Sequence, residues 1–183
     1  GYFVDIGAND GKYLSNVWPL AKLKGWHGLM VEADDQAFAK LTAEFGNMPG
    51  IAVRHALLDS IGPTTNDAVL REAGAPAEID LLNIDVEGND YHLWRSLTST
   101  RPRIVVIDFN PSIPNDVVFV QEEGPHVHHG SSLHALVGLL RHRLVQVRVE
   151  PGAPAGLDLL QPVALKGGVQ RLLGHLDAEH EVA

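Results

Sequence analysis

Tyr2-Phe-Val-Asp-Ile-Gly-Ala-Asn-Asp-Gly11 is the stretch on which the fold turns. An apolar run ends in an acid and opens into a glycine-bearing turn, as a buried strand does where it feeds a cofactor loop. Gly7 and Gly11 let the backbone fold sharply and approach a ligand. Asp5 and Asp10 place negative charge where a nucleotide cofactor sits, and that charge repels a pyrophosphate and suits a cation. S-adenosylmethionine carries a sulfonium, an ammonium group and no phosphate, so it is the expected cofactor. The rival is a nicotinamide dinucleotide, whose G-x-G-x-x-G fingerprint uses the second glycine to bring backbone against the pyrophosphate. Asn9 stands at that place here. A tight turn with no ligand is the plain alternative.

Working outward, Ser15 is expected to cap a helix reaching about Leu23, which Gly25 ends. His27 to Glu32 reads as a second strand, Asp34 to about Phe45 as a helix capped by Asp34 or Asp35, and Ile51 to Leu58 as a third strand. Thr64 to Glu72 follows as a short helix. Ile79 to Asp85 is the fourth strand, Asp90 to Leu97 a helix, and the β-branched run Arg103 to Phe109 the fifth strand. A long loop, 110–130, leads into a helix from Ser131 to about His142, and further strands are expected near 144–149 and 159–165. The breaker-rich segment Pro151 to Gly156 separates them, and 168–183 reads as a tail. Alternating strands and helices predict an α/β domain on a parallel sheet.

The chain has 183 residues, 45% hydrophobic and 20% charged, enough for a single domain over residues 1–183. Its formal charge of −9 and pI near 5.5 lack the basic footprint of a duplex-binding protein, so nucleic acid is not an expected partner. No apolar stretch is long enough to span a bilayer, no signal peptide opens the chain, and cysteine is absent. A cytoplasmic protein with no membrane partner is expected. The chain opens without Met and its first strand begins at once, which reads as a truncated gene fragment lacking a covering helix.

Ligands in such sheets sit beyond the carboxyl ends of the strands, so the strand-end acids Asp5, Glu32, Asp85 and Asp108 carry the chemistry. Glu32, ending the strand after the turn, is placed to accept ribose hydroxyls; capping the following helix is its bland alternative. Asp59 is a candidate for the adenine amino group, or a local turn residue. Asp85 opens the dense block Asp85-Val-Glu-Gly-Asn-Asp-Tyr-His-Leu-Trp94 and is expected near the transferred methyl, to orient the donor, hold a metal or take a proton. Glu87 and Asp90 either join it or cap the next helix. His92 is a candidate base, against the commoner role of a buried structural histidine.

The spaced set VDIGANDG, MVEADD, DLLNIDVEGNDYHLW, PRIVVIDFNPSIPND and HGSSLHALVGLL resembles the FkbM family of S-adenosylmethionine-dependent methyltransferases, over Tyr2 to about Val149. The resemblance implies a Rossmann-like class I methyltransferase fold with a seven-stranded, mostly parallel sheet, an antiparallel last strand and helices on both faces. It also implies O-methylation of a hydroxyl on a sugar or small secondary metabolite. On this chain it would put Asp5, Gly7, Asn9 and Gly11 on the methionine side, Glu32 on the ribose, Asp59 on the adenine and Asp85 beside the methyl. The expected reaction is an in-line displacement accelerated by proximity and exclusion of water, with Asp85, His92 and the loop histidines as candidate bases.

The histidine-rich loop 122–129 departs from that pattern. His126 and His128 share a side of an extended segment and would suit a transition metal with Glu122 and Glu123, although a plain polar loop explains them as well. A divalent-metal site of Asp85, Asp108 and Asn110 is a separate candidate, since Asp108 and Asn110 alternate onto one side of their strand.

Overall fold

The computed structural model describes residues 1–124, 126–148 and 163–166. Six strands form one sheet: β1 (Tyr2–Ile6), β2 (His27–Glu32), β3 (Ile51–His55), β4 (Glu78–Ile84), β5 (Arg101–Asp108) and β6 (Val163–Lys166). Their order is β3-β2-β1-β4-β5-β6, and each neighbouring pair is parallel. The winding therefore reverses between β1 and β4, which is the Rossmann-like doubly wound arrangement.

Period-two alternation assigns the two faces. Phe3 and Met30 turn to α1 (Trp18–Lys24) and α2 (Asp35–Phe45), meeting Val17, Ala21, Leu41 and Phe45 in one buried cluster. Val4, Ile6, Leu29, Leu82 and Ile84 turn the other way. There they meet α3 (Asn66–Glu72), α4 (Asp90–Ser96) and α5 (Leu133–Arg148) through Val69, Leu70, Leu93, Trp94 and Leu136. Burying such side chains contributes roughly 1.5–3 kcal/mol each. Arg143 of α5 closes the end of α4: its guanidinium donates to the Trp94 and Leu97 carbonyls, satisfying groups that the helix leaves open.

The local start and stop signals act as their chemistry dictates. Ser15 lies two residues ahead of the N-cap of α1, which is Val17 and has no side-chain cap bond; its Oγ accepts the Val17 and Trp18 N–H groups at 3.3 and 3.1 Å, and Gly25 ends α1 with φ 64°. Asp34 caps α2 by accepting from Gln36 and Ala37 at 3.0 and 2.8 Å. The far end of the chain differs from expectation. Residues 144–148 continue α5 instead of forming a strand, because the apolar spacing Leu136, Leu140, Leu144 stays helical and no breaker intervenes before Pro151. That helix supplies the crossover parallel pairing requires, and β6 runs parallel to β5 with Val105 opposite Val163. Hence the described residues hold six strands, not seven, and none is antiparallel. The segment 151–156 and the tail 168–183 lie outside the described residues.

Candidate functional site

A cleft of about 570 Å³ opens over the carboxyl ends of β1, β2, β3 and β4, at the reversal of the winding. That is where the fold binds ligands, and the size suits a small molecule. The turn 7–13 builds one wall. Gly7 and Ala8 N–H both donate to the Val31 carbonyl at 3.0 Å, and Gly11 N–H donates to Ala8 at 2.9 Å. Asn9, left-handed at φ 51°, donates its N–H to Glu32 Oε2 at 2.7 Å. Asp10 Oδ1 accepts from Lys12 and Tyr13 at 2.9 and 2.8 Å, which lowers the Asp10 pKa. So the N–H groups of 7, 8, 9, 11, 12 and 13 are all satisfied within the protein, leaving none of these six for a pyrophosphate.

Glu32 is the keystone of this wall. Its Oε1 accepts the Ala33 and Asp34 N–H groups at 2.8 Å each while Oε2 holds Asn9. With about four lone-pair sites on a carboxylate, these three bonds leave room for one further donor. The helix-capping alternative for Glu32 is not met, since its bonds fall on residues ahead of α2 and Asp34 caps that helix, while one acceptor position stays open toward the cleft.

Deeper in, a polar chain buried at Asp5 and Asn83 and exposed at Asn16 crosses the sheet. Asp5 is 2% exposed and Asn83, its register partner on β4, is 4% exposed. Asn83 Nδ2 donates to Asp5 Oδ1 at 2.6 Å, and Asn16 Nδ2 donates to Asn83 Oδ1 at 2.9 Å. An Asn inside the apolar run Leu-Leu-Asn-Ile is the signal that marks Asn83 as a polar side chain with a buried partner; no comparable signal marks Asn16. Asp85 follows, with its N–H donating to the Ile6 carbonyl at 2.9 Å.

Asp5, Gly7, Asn9, Ser15, Glu32 and Asp85 all border the cleft, as expected of them. Asp10, Gly11 and Asp59 do not. Asp10 holds its own turn, and a Cβ on Gly11 would lie 2.6 Å from Leu41 Cδ1, so that glycine serves packing against α2. Asp59 accepts from Ser60 at 2.7 Å and bridges to Thr65; Ala56, Leu57 and Leu58 supply the wall beside it instead. His92, a candidate base, also lies off the cleft. It is 6% exposed, its Nε2 donates to the Gln121 carbonyl at 2.8 Å, and its Nδ1 lies 3.6 Å from Glu123. A buried strut between α4 and the long loop cannot reach a ligand in that cleft.

The metal expectations find no support. Asn110 spends its amide on the His129 carbonyl at 2.7 Å and its oxygen on the Ser112 N–H at 2.9 Å, and Asp108 and Asn110 border a second pocket that excludes Asp85. His128 borders both cavities, whereas His126 borders neither. Among the described residues no three His, Asp or Glu side chains are grouped to hold a metal ion.

Asp90 makes the turn 86–90 rigid. It is 3% exposed and accepts from Val86 and Gly88 at 3.0 and 2.8 Å. Burial outweighs those bonds and pushes its pKa up from 3.8 to about 6. The folded protein therefore keeps a proton that the unfolded chain has lost, so this group's stabilisation is complete below pH 3.8 and is lost as pH rises through about 6. Urea unfolding should show wild type losing about 2 kcal/mol between pH 4 and 7 relative to Asp90→Asn. Parallel pH profiles of the two proteins would contradict this.

No protein-family model matches the chain. No curated protein matches it in sequence. A solved structure similar to it is the hMettl16 catalytic domain in complex with MAT2A 3'UTR hairpin 6, 19% identical, at a TM-score of 0.32. The match covers 80% of this chain and 45% of that one, so this chain spans less than half of that structure. The fold assignment rests on the sheet order above. The exclusion of nucleic acid is withdrawn beside that RNA complex, because a whole-chain charge of −9 does not describe the field at any one face. No helix among the described residues is long and apolar enough to cross a membrane.

Proposed function

We propose that this chain is an S-adenosylmethionine-dependent methyltransferase acting on a hydroxyl of a sugar or small metabolite, in keeping with its resemblance to the FkbM family. One observation carries the reading: Asp5, Glu32, Asp34, Asp85 and Glu87 border the cleft, and among the described residues no Lys or Arg does. Such a site favours a cationic ligand and disfavours a pyrophosphate. The satisfied N–H groups of the turn support the same choice against a dinucleotide.

Asp5, Asn83 and Asp85 would face the cationic amino-acid end, Glu32 the ribose, and Ala56, Leu57 and Leu58 the apolar base. The cofactor would supply an electrophilic methyl group. What the chain itself contributes is orientation, a dry wall behind the reacting atoms, and carboxylates held in fixed places by backbone donors. Equilibrium dialysis with methyl-labelled S-adenosylmethionine tests the reading. Retention competed by S-adenosylhomocysteine and not by NAD supports it; competition by NAD alone, or no retention, refutes it.

A further inference from the structure

Beside the cleft lies a second pocket of about 220 Å³, bordered by Glu87, Asp108, Asn110, His128 and His129 among others. We propose that this pocket receives the methyl acceptor and that His128 takes the acceptor's proton, an inference that rests on the methyltransferase reading above. Glu87 and His128 border both cavities, so a molecule in the pocket adjoins the cleft at these two residues.

The histidine is set up for the task. His128 Nδ1 lies 3.2 Å from the Glu87 carbonyl oxygen. A carbonyl only accepts, so the neutral ring carries its proton on Nδ1 and its lone pair on Nε2, the form a general base needs. Its backbone is fixed on both sides. Gln121, 2% exposed, donates to the Val127 carbonyl at 2.8 Å and accepts from His129 and Gly130 at 3.0 and 2.7 Å. His92 holds Gln121 in turn at 2.8 Å. Gly88 packs so closely under this segment that a Cβ there would collide with the Val127 carbonyl.

The lining also states a substrate class. Carboxylates of Glu87 and Asp108 disfavour an anionic acceptor, and the small polar volume suits a compact, uncharged polyol. In the step, a lone pair of the acceptor oxygen forms the new bond to the methyl carbon. The carbon–sulfur bond breaks with its pair kept by sulfur as a neutral thioether. The hydroxyl proton passes to His128 Nε2 and leaves to water.

Long-range proton–nitrogen spectra of the histidine-labelled chain test this, with His128 assigned by its absence in His128→Gln. The expected result is a proton on Nδ1, and a shift of the Nε2 signal on titration with glycerol. His27, at the opposite end of the sheet, should not move. A proton on Nε2, an unmoved His128, or an equal shift at His27 overturns the proposal. Calorimetry with S-adenosylhomocysteine separates the two readings: wild type should bind it saturably. Failure of wild type to bind it refutes the cofactor reading whatever the spectra show. Turnover of an accepted polyol should fall about 10²–10⁴-fold in His128→Gln.

Discussion

Replacing Gly7 with alanine should destabilise the fold by about 3–5 kcal/mol and abolish ligand binding in the cleft. Gly7 has φ 82°, a conformation that L side chains rarely adopt, and its added Cβ would collide with the Asp85 carbonyl oxygen. Neither partner can retreat. The Asp85 N–H is bonded to the Ile6 carbonyl at 2.9 Å, and the Gly7 N–H to Val31 at 3.0 Å, so relief requires breaking a seam of β1 with β4 or with β2. Gly11→Ala provides the comparison. Its φ is 74°, but the nearest contacts of its Cβ would be the buried Leu41 and Phe45 side chains, which yield more readily than backbone, so a smaller loss of about 2 kcal/mol is expected. Urea unfolding of both variants decides the matter. A Gly7→Ala protein as stable as Gly11→Ala would show that the close approach of turn and strand end is not required.

Glu32→Ala should have the second largest effect, weakening S-adenosylhomocysteine binding about 100-fold or more and costing about 2–3 kcal/mol of stability. Three backbone N–H groups lose a charged acceptor at once, and Asn9 loses the bond that secures its left-handed conformation. The stability figure is held down because the carboxylate is partly exposed and water can replace some of these bonds. Glu32→Gln should not rescue binding, since its amide nitrogen would confront an N–H donor on one side. Calorimetry and urea unfolding of the two variants measure both effects. Unchanged binding in Glu32→Ala would remove the carboxylate from the ligand site and leave it a purely structural role.

Much of this arrangement is legible in the residues themselves. Strand and helix order through Asp108 follows from apolar runs bounded by Ser15, Gly25, Asp34 and Thr65, each of which acts locally and so is visible in a short window. Of the four strand-end acids, Asp5, Glu32 and Asp85 border the cleft because a parallel doubly wound sheet gathers its carboxyl ends in one crevice, whereas Asp108 borders the second pocket. What failed depended on tertiary packing. Residues 144–148 have the valine content of a strand, yet they continue α5, whose preceding turns pack Leu136 and Leu139 onto the sheet. His92 looks like a base in sequence and is a buried strut, because α4 turns it toward Gln121, 29 positions away. Asn16 and Asn83 were passed over for the converse reason: a separation of 67 residues hides the bond that joins them.

The central claim is that the acid-lined cleft takes an adenosyl amino acid without phosphate, not a dinucleotide. Calorimetric titration of the chain with S-adenosylhomocysteine and, separately, with NAD tests it most directly. The account predicts saturable binding of S-adenosylhomocysteine with one site per chain and no heat from NAD; binding of NAD in place of S-adenosylhomocysteine would contradict it.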